Sequence, residues 1–375
     1  MKKIISLMAL GCMVLTLCSC SSNKIPFDDE RLTDIWVSSI DGTVYTYPIT
    51  LHCKNAVHSD NFNTIEITPQ IEADSDDRLY IRYVFNENKF LAQSNRVVGI
   101  LSADGAFEEL FSDDTDRNLN ILCCDDDYII YMVSLRSKGR TTGQMHMYSL
   151  SEKSNLKIAD IDDASAWVDY SAVRVDDVIY YNSVNRIEDG YAVESIMEYN
   201  ISKGTNQLFC ADAAMPSIYN GKLAFVKNNT ALVEYTDGGF SEILDLKESG
   251  LYRTVSGHHI SGNKVCYDYS IHTDESYPEG ATGSGVGFIK DGKRYEIADS
   301  EAYMCSLSIE GSLAAWNYDC AGGVFPIVYD LEKDTAIVLD AERSVYWSFV
   351  SDNNVYFVEY PNDSQEIRII TYSTN

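Results

Sequence analysis

The chain has 375 residues, with 57 acidic and 29 basic side chains, so its formal charge at neutral pH is −28. This charge argues against a nucleic-acid-binding protein, because phosphate contacts need a basic surface. Apolar residues make up 45% of the chain, which is enough for a large core and excludes wholesale disorder. The 26 tyrosines, set against only 7 prolines, favour strands.

The first 20 residues have the pattern of an export signal. Lys2 and Lys3 precede an apolar run, Ile4 to Leu17, that is too short for a bilayer span and typical of a signal-peptide core. The run ends in LCSC, where the small residue Ser19 precedes Cys20, and this ending resembles the bacterial lipobox. An ordinary signal peptide with incidental cysteines is the alternative.

The lipobox resemblance implies a lipoprotein. Its signal peptide would be residues 1–19, its lipidated residue Cys20, and its polar tether residues 20–33. One acylated cysteine would anchor the protein to a bacterial membrane outside the cytoplasm without spanning it. Ser21 resembles the sorting signal for the outer membrane if the host has two membranes, and the anchor is the cell membrane otherwise.

Seven cysteines follow Cys20, and their number argues against a disulfide framework. They are odd in number, and no CxxC pair is present, so a structural zinc site is not expected either. The seven are Cys53, Cys123, Cys124, Cys210, Cys266, Cys305 and Cys320.

The remaining sequence repeats about every 45 residues. A short apolar run follows an acidic or glycine-containing turn seven times, with starts 42 to 50 residues apart; the starts are Leu79, Ile129, Ile179, Leu223, Val265, Leu313 and Val355. In the first six copies a strand, a tight turn and another strand follow, as around Asp104-Gly105. Another strand precedes each turn, with residues 70–73 as the weak candidate in the first copy.

Seven copies of four short strands predict an all-β protein, a β-propeller of seven four-stranded blades over residues 34–375. Six or eight blades, an open solenoid and two sandwiches are the alternatives. The seventh copy ends after its third strand, at residue 373. We expect a strand of the N-terminal hairpin, Ile35 to Ile49, to complete the last blade and close the ring.

This rhythm resembles secreted bacterial β-propellers of the TolB-like or YVTN-like kind. The resemblance covers residues 34–375 and depends on the repeat alone, since the YVTN tetrad and the WD dipeptides of WD40 repeats are absent. It therefore assigns no functional residue.

The long connections predict a binding face. They join strands two and three of a blade, or successive blades, which places them at one end of a propeller, and we assign them as residues 86–94, 136–144, 185–191 and 271–285. From these loops, the connector at 160–167 and the inner strand of the fifth copy we select six candidate ligand-binding residues: Arg136, Arg140, Trp167, Arg186, His258 and Tyr277. One of His258 and His259 should face the central channel.

The sequence contains no recognisable catalytic motif. It has no HExxH, no GxSxG and no phosphate loop, and GSGVGF (283–288) opens into a strand, which argues against a dinucleotide site. We therefore expect no catalytic residue, no metal and no cofactor, although acidic connectors leave room for a calcium loop. The favoured hypothesis is a membrane-anchored, non-catalytic binding or scaffolding module for a peptide, protein or glycan. A glycoside hydrolase or polysaccharide lyase is the alternative.

Overall fold

The computed structural model describes most of the repeat region. The described residues are 33–35, 49–59, 62–70, 78–113, 118–137, 140–163, 170–188, 191–236, 239–247, 252–272, 282–290, 293–300, 303–320, 323–339, 345–361 and 365–373. The predicted signal peptide, the lipidation site Cys20 and most of the tether lie outside them, as do Trp167 and Tyr277.

The described residues form a seven-bladed β-propeller of four-stranded antiparallel blades, as the repeat predicts. Blade 1 contains β5 (Tyr80–Asn86), β6 (Lys89–Gln93), β7 (Val97–Ser102) and β8 (Phe107–Ser112); blade 2 contains β9 (Asn118–Cys124), β10 (Tyr128–Ser137), β11 (Arg140–Ser149) and β12 (Ser154–Asp163); blade 3 contains β13 (Ala172–Val175), β14 (Val178–Glu188), β15 (Tyr191–Asn200) and β16 (Thr205–Ala211); blade 4 contains β17 (Ala213–Tyr219), β18 (Lys222–Lys227), β19 (Ala231–Thr236) and β20 (Gly239–Asp245).

The other three blades carry additional strands from the N-terminal segment. Blade 5 contains β21 (Tyr252–Ser261), β22 (Lys264–His272), β23 (Gly283–Lys290) and β24 (Lys293–Ser300); blade 6 contains β25 (Tyr303–Glu310), β26 (Leu313–Cys320), β27 (Gly323–Asp330) and β28 (Thr335–Leu339); blade 7 contains β29 (Val345–Ser351), β30 (Asn354–Glu359), β31 (Ile367–Ser373) and β4 (Asn63–Ile67). The remaining strands are β1 (Thr33–Ile35), β2 (Ile49–Leu51) and β3 (Asn55–Ser59).

Each blade is apolar on both faces because it is packed between two neighbours. The second strand shows this best: Val355 to Glu359 of β30 are all buried, as are Tyr128 to Ser134 of β10. The described core falls into seven clusters, one at each seam between adjacent blades. The seam clusters stabilise the ring in the way that a single core stabilises a smaller domain.

The ring closes through an N-terminal strand in the last blade, as predicted, but the predicted segment is wrong. The fourth strand of blade 7 is β4, which pairs antiparallel with β31 in the register Ile67↔Ile367. Ile49–Leu51 instead pairs with β24 of blade 5, and Thr33–Ile35 pairs with it in turn. Residues 36–48 of the predicted hairpin lie outside the described residues.

The N-terminal segment thus runs along the outside of three blades. β1 and β2 extend blade 5 to six strands, β3 pairs in parallel with β28 of blade 6, and β4 completes blade 7. Leu51 and Cys53 are buried in the cluster between blades 5 and 6. These additional strands cover outer sheet edges that would otherwise be open to pairing.

Blade 1 differs from the predicted strand order. The run that begins at Leu79 is the innermost strand, β5, rather than the second strand. Residues 86–94 are consequently a tight turn followed by β6, not a long loop, and Phe90 is fully buried. Residues 71–77, which include most of the weak first-strand candidate, lie outside the described residues, and Gln70 is not in a strand.

Two glycines of β23 make room for tyrosine rings. A Cβ atom at Gly285 would lie 2.2 Å from Cζ of Tyr269, and one at Gly287 would lie 2.5 Å from Cζ of Tyr267. The GSGVGF segment is therefore a strand, as predicted, and its glycines serve packing within the blade.

Among the cysteines whose side chains the structure describes, Cys123, Cys124, Cys210 and Cys266 are free thiols, and burial raises the pKa of each of them. Within the described ranges, no helix is long and apolar enough to cross a bilayer.

Candidate functional site

The strand order gives the ring two distinct ends. Connections between second and third strands, and between blades, lie at the end that we call the upper face; the other turns lie at the lower face. Blades 2 and 3 extend furthest in their second and third strands, which have 10 or 11 residues, against 6 in the corresponding strands of blade 4. Their hairpins therefore project above blade 4 at the upper face.

Three of the six predicted binding residues lie on these two hairpins. Arg136 and Arg140 flank the turn of the blade 2 hairpin, and Arg186 is near the end of β14 in blade 3. All three arginines are exposed. Each hairpin also exposes an aliphatic side chain at the neighbouring position of the strand, Leu135 at 46% and Ile187 at 43%, which points to the face opposite the arginine.

Carboxylates hold two of these arginines in place. Arg140 donates to Oδ1 of Asp162 at 2.7 Å, and Arg186 donates to Glu188 and Asp212, each at 3.1 Å. These ion pairs are exposed, so each contributes about 1 kcal/mol at most to stability. Their main effect is to orient the guanidinium groups at the upper face.

A buried polar network fixes the base of the hairpins. Asp163 is buried at the seam between blades 2 and 3, where it accepts hydrogen bonds from Tyr170 Oη at 2.7 Å, Ser183 Oγ at 3.0 Å and the Val184 amide at 3.2 Å. Burial and the hydrogen bond to Asp163 raise the pKa of the Tyr170 hydroxyl. Buried polar groups that are satisfied in this way make a rigid support for the loops above.

A groove lies next to the blade 3 hairpin. It has a volume of about 530 Å³, is open to solvent and runs along blade 4; its lining comprises Lys227, Asn228, Thr230, Ala231, Val233, Phe240, Glu242, Asp245 and Lys247. The Asn228 amide donates to the carbonyl of Asp212 at 2.9 Å, and Asp212 also binds Arg186. The upper end of the groove therefore adjoins the arginine of blade 3.

One aromatic ring, that of Phe240, lines this groove. Phe240 is 43% exposed, and its ring centre lies 5.9 Å from that of Tyr235 and 5.4 Å from that of Phe225. Nζ of Lys227 lies 4.7 Å from the centre of the Phe240 ring. Lys227 and Lys247 balance Glu242 and Asp245, so the lining has no net charge, which suits a neutral or mixed-charge ligand.

Sequence reasoning missed the groove residues because they come from three strands of one blade. Phe240 and Lys227 each fit an ordinary strand pattern, and only the exposure of Phe240 in the folded blade distinguishes it. The one sequence signal that could have drawn attention to Phe240 is an aromatic residue shortly after the Asp237-Gly238 dipeptide, at the start of a predicted outer strand.

His258 lies at a different seam from the arginine hairpins. It is on β21, the innermost strand of blade 5, and its Nε2 atom is 2.6 Å from Oγ of Ser217 on the innermost strand of blade 4. His259 points to the opposite face of the strand, because it pairs with Cys266 while His258 pairs with Tyr267. The side chain of His258 therefore points towards blade 4, and that of His259 points away from blade 4.

The Ser217–His258 pair does not have the features of an activated nucleophile. Burial lowers the pKa of His258 to about 3, whereas His259 is exposed to solvent. Within the described residues, Nδ1 of His258 has no hydrogen-bond partner, so no acid orients the ring. A general base needs a pKa near the working pH and an orienting partner.

The described part of the chain contains no group of three or more histidine, cysteine, aspartate or glutamate side chains placed to hold a metal ion. Most of the acidic connector at 112–118 lies outside it, as do Trp167, Tyr277 and most of the loop at 271–285.

No protein-family model and no curated protein matches the chain. In structure it is similar to an oligogalacturonate lyase in complex with manganese, with a TM-score of 0.53, 10% identity, and coverage of 94% of this chain and 99% of that one. An oligogalacturonate lyase from Vibrio parahaemolyticus gives a TM-score of 0.50, 11% identity, and coverage of 92% and 98%.

The β-propeller domain of the Trilobed protease from Pyrococcus furiosus gives a TM-score of 0.51 at 9% identity, covering 80% of this chain and 96% of that one. Identities this low establish the architecture that these proteins have in common, and the chain is a seven-bladed β-propeller.

Proposed function

We propose that the chain is a lipoprotein, anchored through Cys20 on the extracytoplasmic side of a bacterial membrane, whose propeller is a non-catalytic module that binds or scaffolds a peptide, protein or glycan. The lipobox-like LCSC ending supports the anchor. The binding role rests on one observation, which is that each of the two projecting hairpins exposes an arginine on one face of a strand and an aliphatic side chain, Leu135 or Ile187, on the other face.

This combination favours recognition of another molecule. An exposed aliphatic side chain gains contact area when a ligand covers it, and an oriented arginine supplies directional hydrogen bonds. The buried Asp163 network keeps the two hairpins in a fixed relation, so less conformational entropy is lost on binding. The neutral groove beside Arg186 extends the same surface.

Membrane fractionation tests the anchor. We expect the unmodified chain in the membrane fraction and the Cys20→Ser chain in the soluble fraction. Retention of Cys20→Ser in membranes would contradict lipid anchoring and would leave the binding hypothesis untouched.

Glycan arrays and peptide-library pull-downs with the Cys20→Ser chain test the binding role. Once a ligand is found, Arg136→Ala and Arg186→Ala should each weaken binding about tenfold, the loss of one charge-assisted contact. Lys203→Ala is the matched control, since it removes an exposed positive charge at the lower face. Cleavage of a polysaccharide by the purified chain would favour the enzyme hypothesis instead.

A further inference from the structure

A second site lies where blades 1 and 7 meet, at the upper end of the innermost strands. Arg82 is the third residue of β5, and Trp347 is the third residue of β29, the adjacent innermost strand. The guanidinium carbon of Arg82 lies 5.2 Å from the centre of the Trp347 ring. Trp347 is 37% exposed and Tyr80 is 39% exposed. Two aromatic surfaces and a cation are therefore accessible at this seam.

Arg82 has no carboxylate partner in the described part of the chain. Its Nε atom is buried and forms no hydrogen bond there. Burial lowers the pKa of Arg82, and the groups that act on it electrostatically are the hydroxyls of Tyr360 and Tyr80. Arg140, Arg186 and Arg368, by contrast, all form ion pairs. Within the described residues, Arg82 thus combines a partly buried guanidinium that has no carboxylate partner with a buried Nε atom that has no hydrogen bond, and both features are costly unless an anion binds there.

The surroundings of Arg82 are held in place. Tyr360 accepts a hydrogen bond from the Ile81 amide at 2.7 Å, and its ring packs against Tyr80 with 5.2 Å between centres. Arg78 donates to the carbonyl of Pro361 at 2.7 Å. Because these contacts fix the three positions of the chain just before Arg82 against Tyr360 and Pro361, the guanidinium group is positioned before any ligand arrives.

We propose that Arg82, Trp347 and Tyr80 form a binding site for a small monocarboxylate whose ring or alkyl body lies on the exposed aromatic surfaces. A guanidinium group matches the two oxygens of a carboxylate with parallel hydrogen bonds. A single cation balances a single negative charge, whereas a phosphate dianion would leave excess negative charge in an already acidic protein. Binding would supply the missing counter-ion and cover Trp347.

Calorimetric titration of the full chain with benzoate, benzamide and phenyl phosphate tests the charge requirement. We expect benzoate to bind with a Kd of about 1 mM or tighter, and the isosteric neutral benzamide to bind at least tenfold more weakly. Phenyl phosphate should also bind more weakly than benzoate. Equal binding of benzoate and benzamide, or no saturable benzoate binding, would overturn the proposal without requiring a variant.

Variants locate the site. Arg82→Gln should weaken benzoate binding at least tenfold and leave the melting temperature unchanged or raised, since it removes a partly buried charge that has no carboxylate partner in the described part of the chain. Trp347→Leu should weaken binding several-fold, and Lys203→Gln at the lower face should have no effect. Unchanged benzoate affinity in both Arg82→Gln and Trp347→Leu would overturn the assignment. If Arg82→Gln does not fold, the benzoate affinity of Trp347→Leu alone tests the assignment, and an unchanged affinity would overturn it.

N-Acetylphenylalanine and glucuronate distinguish two sources of the carboxylate. Tighter binding of the first than of benzoate would identify a peptide-like ligand, and tighter binding of the second an acidic sugar; both outcomes keep the carboxylate contact with Arg82. Failure of all three carboxylates to bind would refute it.

Discussion

Oγ of Ser217 and Nε2 of His258 lie 2.6 Å apart across the seam between blades 4 and 5. The bond joins the innermost strands of the two blades, and burial lowers the pKa of His258 to about 3. His258 is therefore expected to stay neutral in the folded protein above about pH 3, and its protonation is coupled to unfolding.

The coupling predicts that His258 destabilises the fold in acid. Between pH 6.5 and 3 the unfolded chain binds a proton at this residue and the folded chain does not, so the free energy of unfolding falls as the pH drops below 6.5. His258→Gln, which can still hydrogen-bond to Ser217, should gain about 2 kcal/mol relative to the unmodified chain between pH 7 and pH 5. Urea unfolding at both pH values measures this, and parallel pH profiles would refute the coupling.

Asp268 should make the free energy of unfolding depend on pH in the opposite direction from His258. It lies over Gly257, where a Cβ atom would be 2.5 Å from Oδ1, and burial raises the pKa of its carboxyl to about 7. The folded chain then keeps this proton between about pH 4 and 7 while the unfolded chain loses it, so stability decreases as the pH rises through this range. Asp268→Asn removes that loss.

We expect Asp268→Asn to raise the free energy of unfolding by about 2 kcal/mol at pH 8 and to change it little at pH 4. The side chain keeps some accessible surface, which reduces the effect below that of a fully enclosed carboxyl. Asp352→Asn, in an exposed lower-face turn, is the control. Equal shifts at the two pH values would show that the Asp268 carboxyl does not titrate with folding.

Gln93 joins blades 1 and 2. It is 4% exposed, donates from Nε2 to the Leu119 carbonyl at 2.5 Å and accepts from the Ile121 amide at 3.0 Å. Gln93→Leu keeps a similar volume but leaves both backbone groups of β9 buried without a partner, so it should cost about 2 kcal/mol. Gln207→Leu, on an exposed strand, should change stability by less than about 0.5 kcal/mol. Chemical denaturation compares the two; equal losses would contradict the role of Gln93.

Ring closure depends on β4 more than on the strands before it. Deletion of residues 63–67 removes the fourth strand of blade 7 and exposes β31, so we expect a large loss of melting temperature and of cooperativity. Deletion of residues 33–50 removes β1 and most of β2 from the outer edge of blade 5 and should cost much less. Differential scanning calorimetry of the two deletion variants measures both losses, and a larger loss of melting temperature from the second deletion would show that closure resides elsewhere.

Ile67→Ala, at a 1% exposed position, should lower the free energy of unfolding by about 2–4 kcal/mol.

The sequence predicts the blades because each depends on local patterns. The apolar second strands are readable since neighbouring blades cover both faces, and Gly105, with φ of 89°, occupies the turn that its Asp-Gly dipeptide predicts. The blade 1 order was misread because β5 is as apolar as a second strand. β4 was missed because NTIEI is short and half polar, so several N-terminal segments fit the closing position equally well.

The candidate sites were predicted only in part, because local sequence reveals single segments but not the contacts that ring closure makes between them. Arg136, Arg140 and Arg186 follow from segments 136–144 and 185–191, which the sequence predicts as long loops at the upper face; the structure places the three arginines at that face but on extended strands of two hairpins. The Arg82–Trp347 contact joins a residue of the first repeat to a residue of the last repeat, and it exists only after ring closure brings blades 1 and 7 together. Nothing in the local sequence shows that Arg82 has no carboxylate partner among the described residues, because that depends on every side chain that the fold places around it.

The pairing of Ile67 with Ile367 also constrains the order in which the molecule can assemble. During synthesis β4 emerges about 300 residues before its partner β31, so it must wait as an unpaired strand while six blades form. An exported chain would pass through this stage outside the cytoplasm, where an open edge can capture another copy. Chaperone dependence and aggregation during maturation should therefore be governed by the exposure of this one strand.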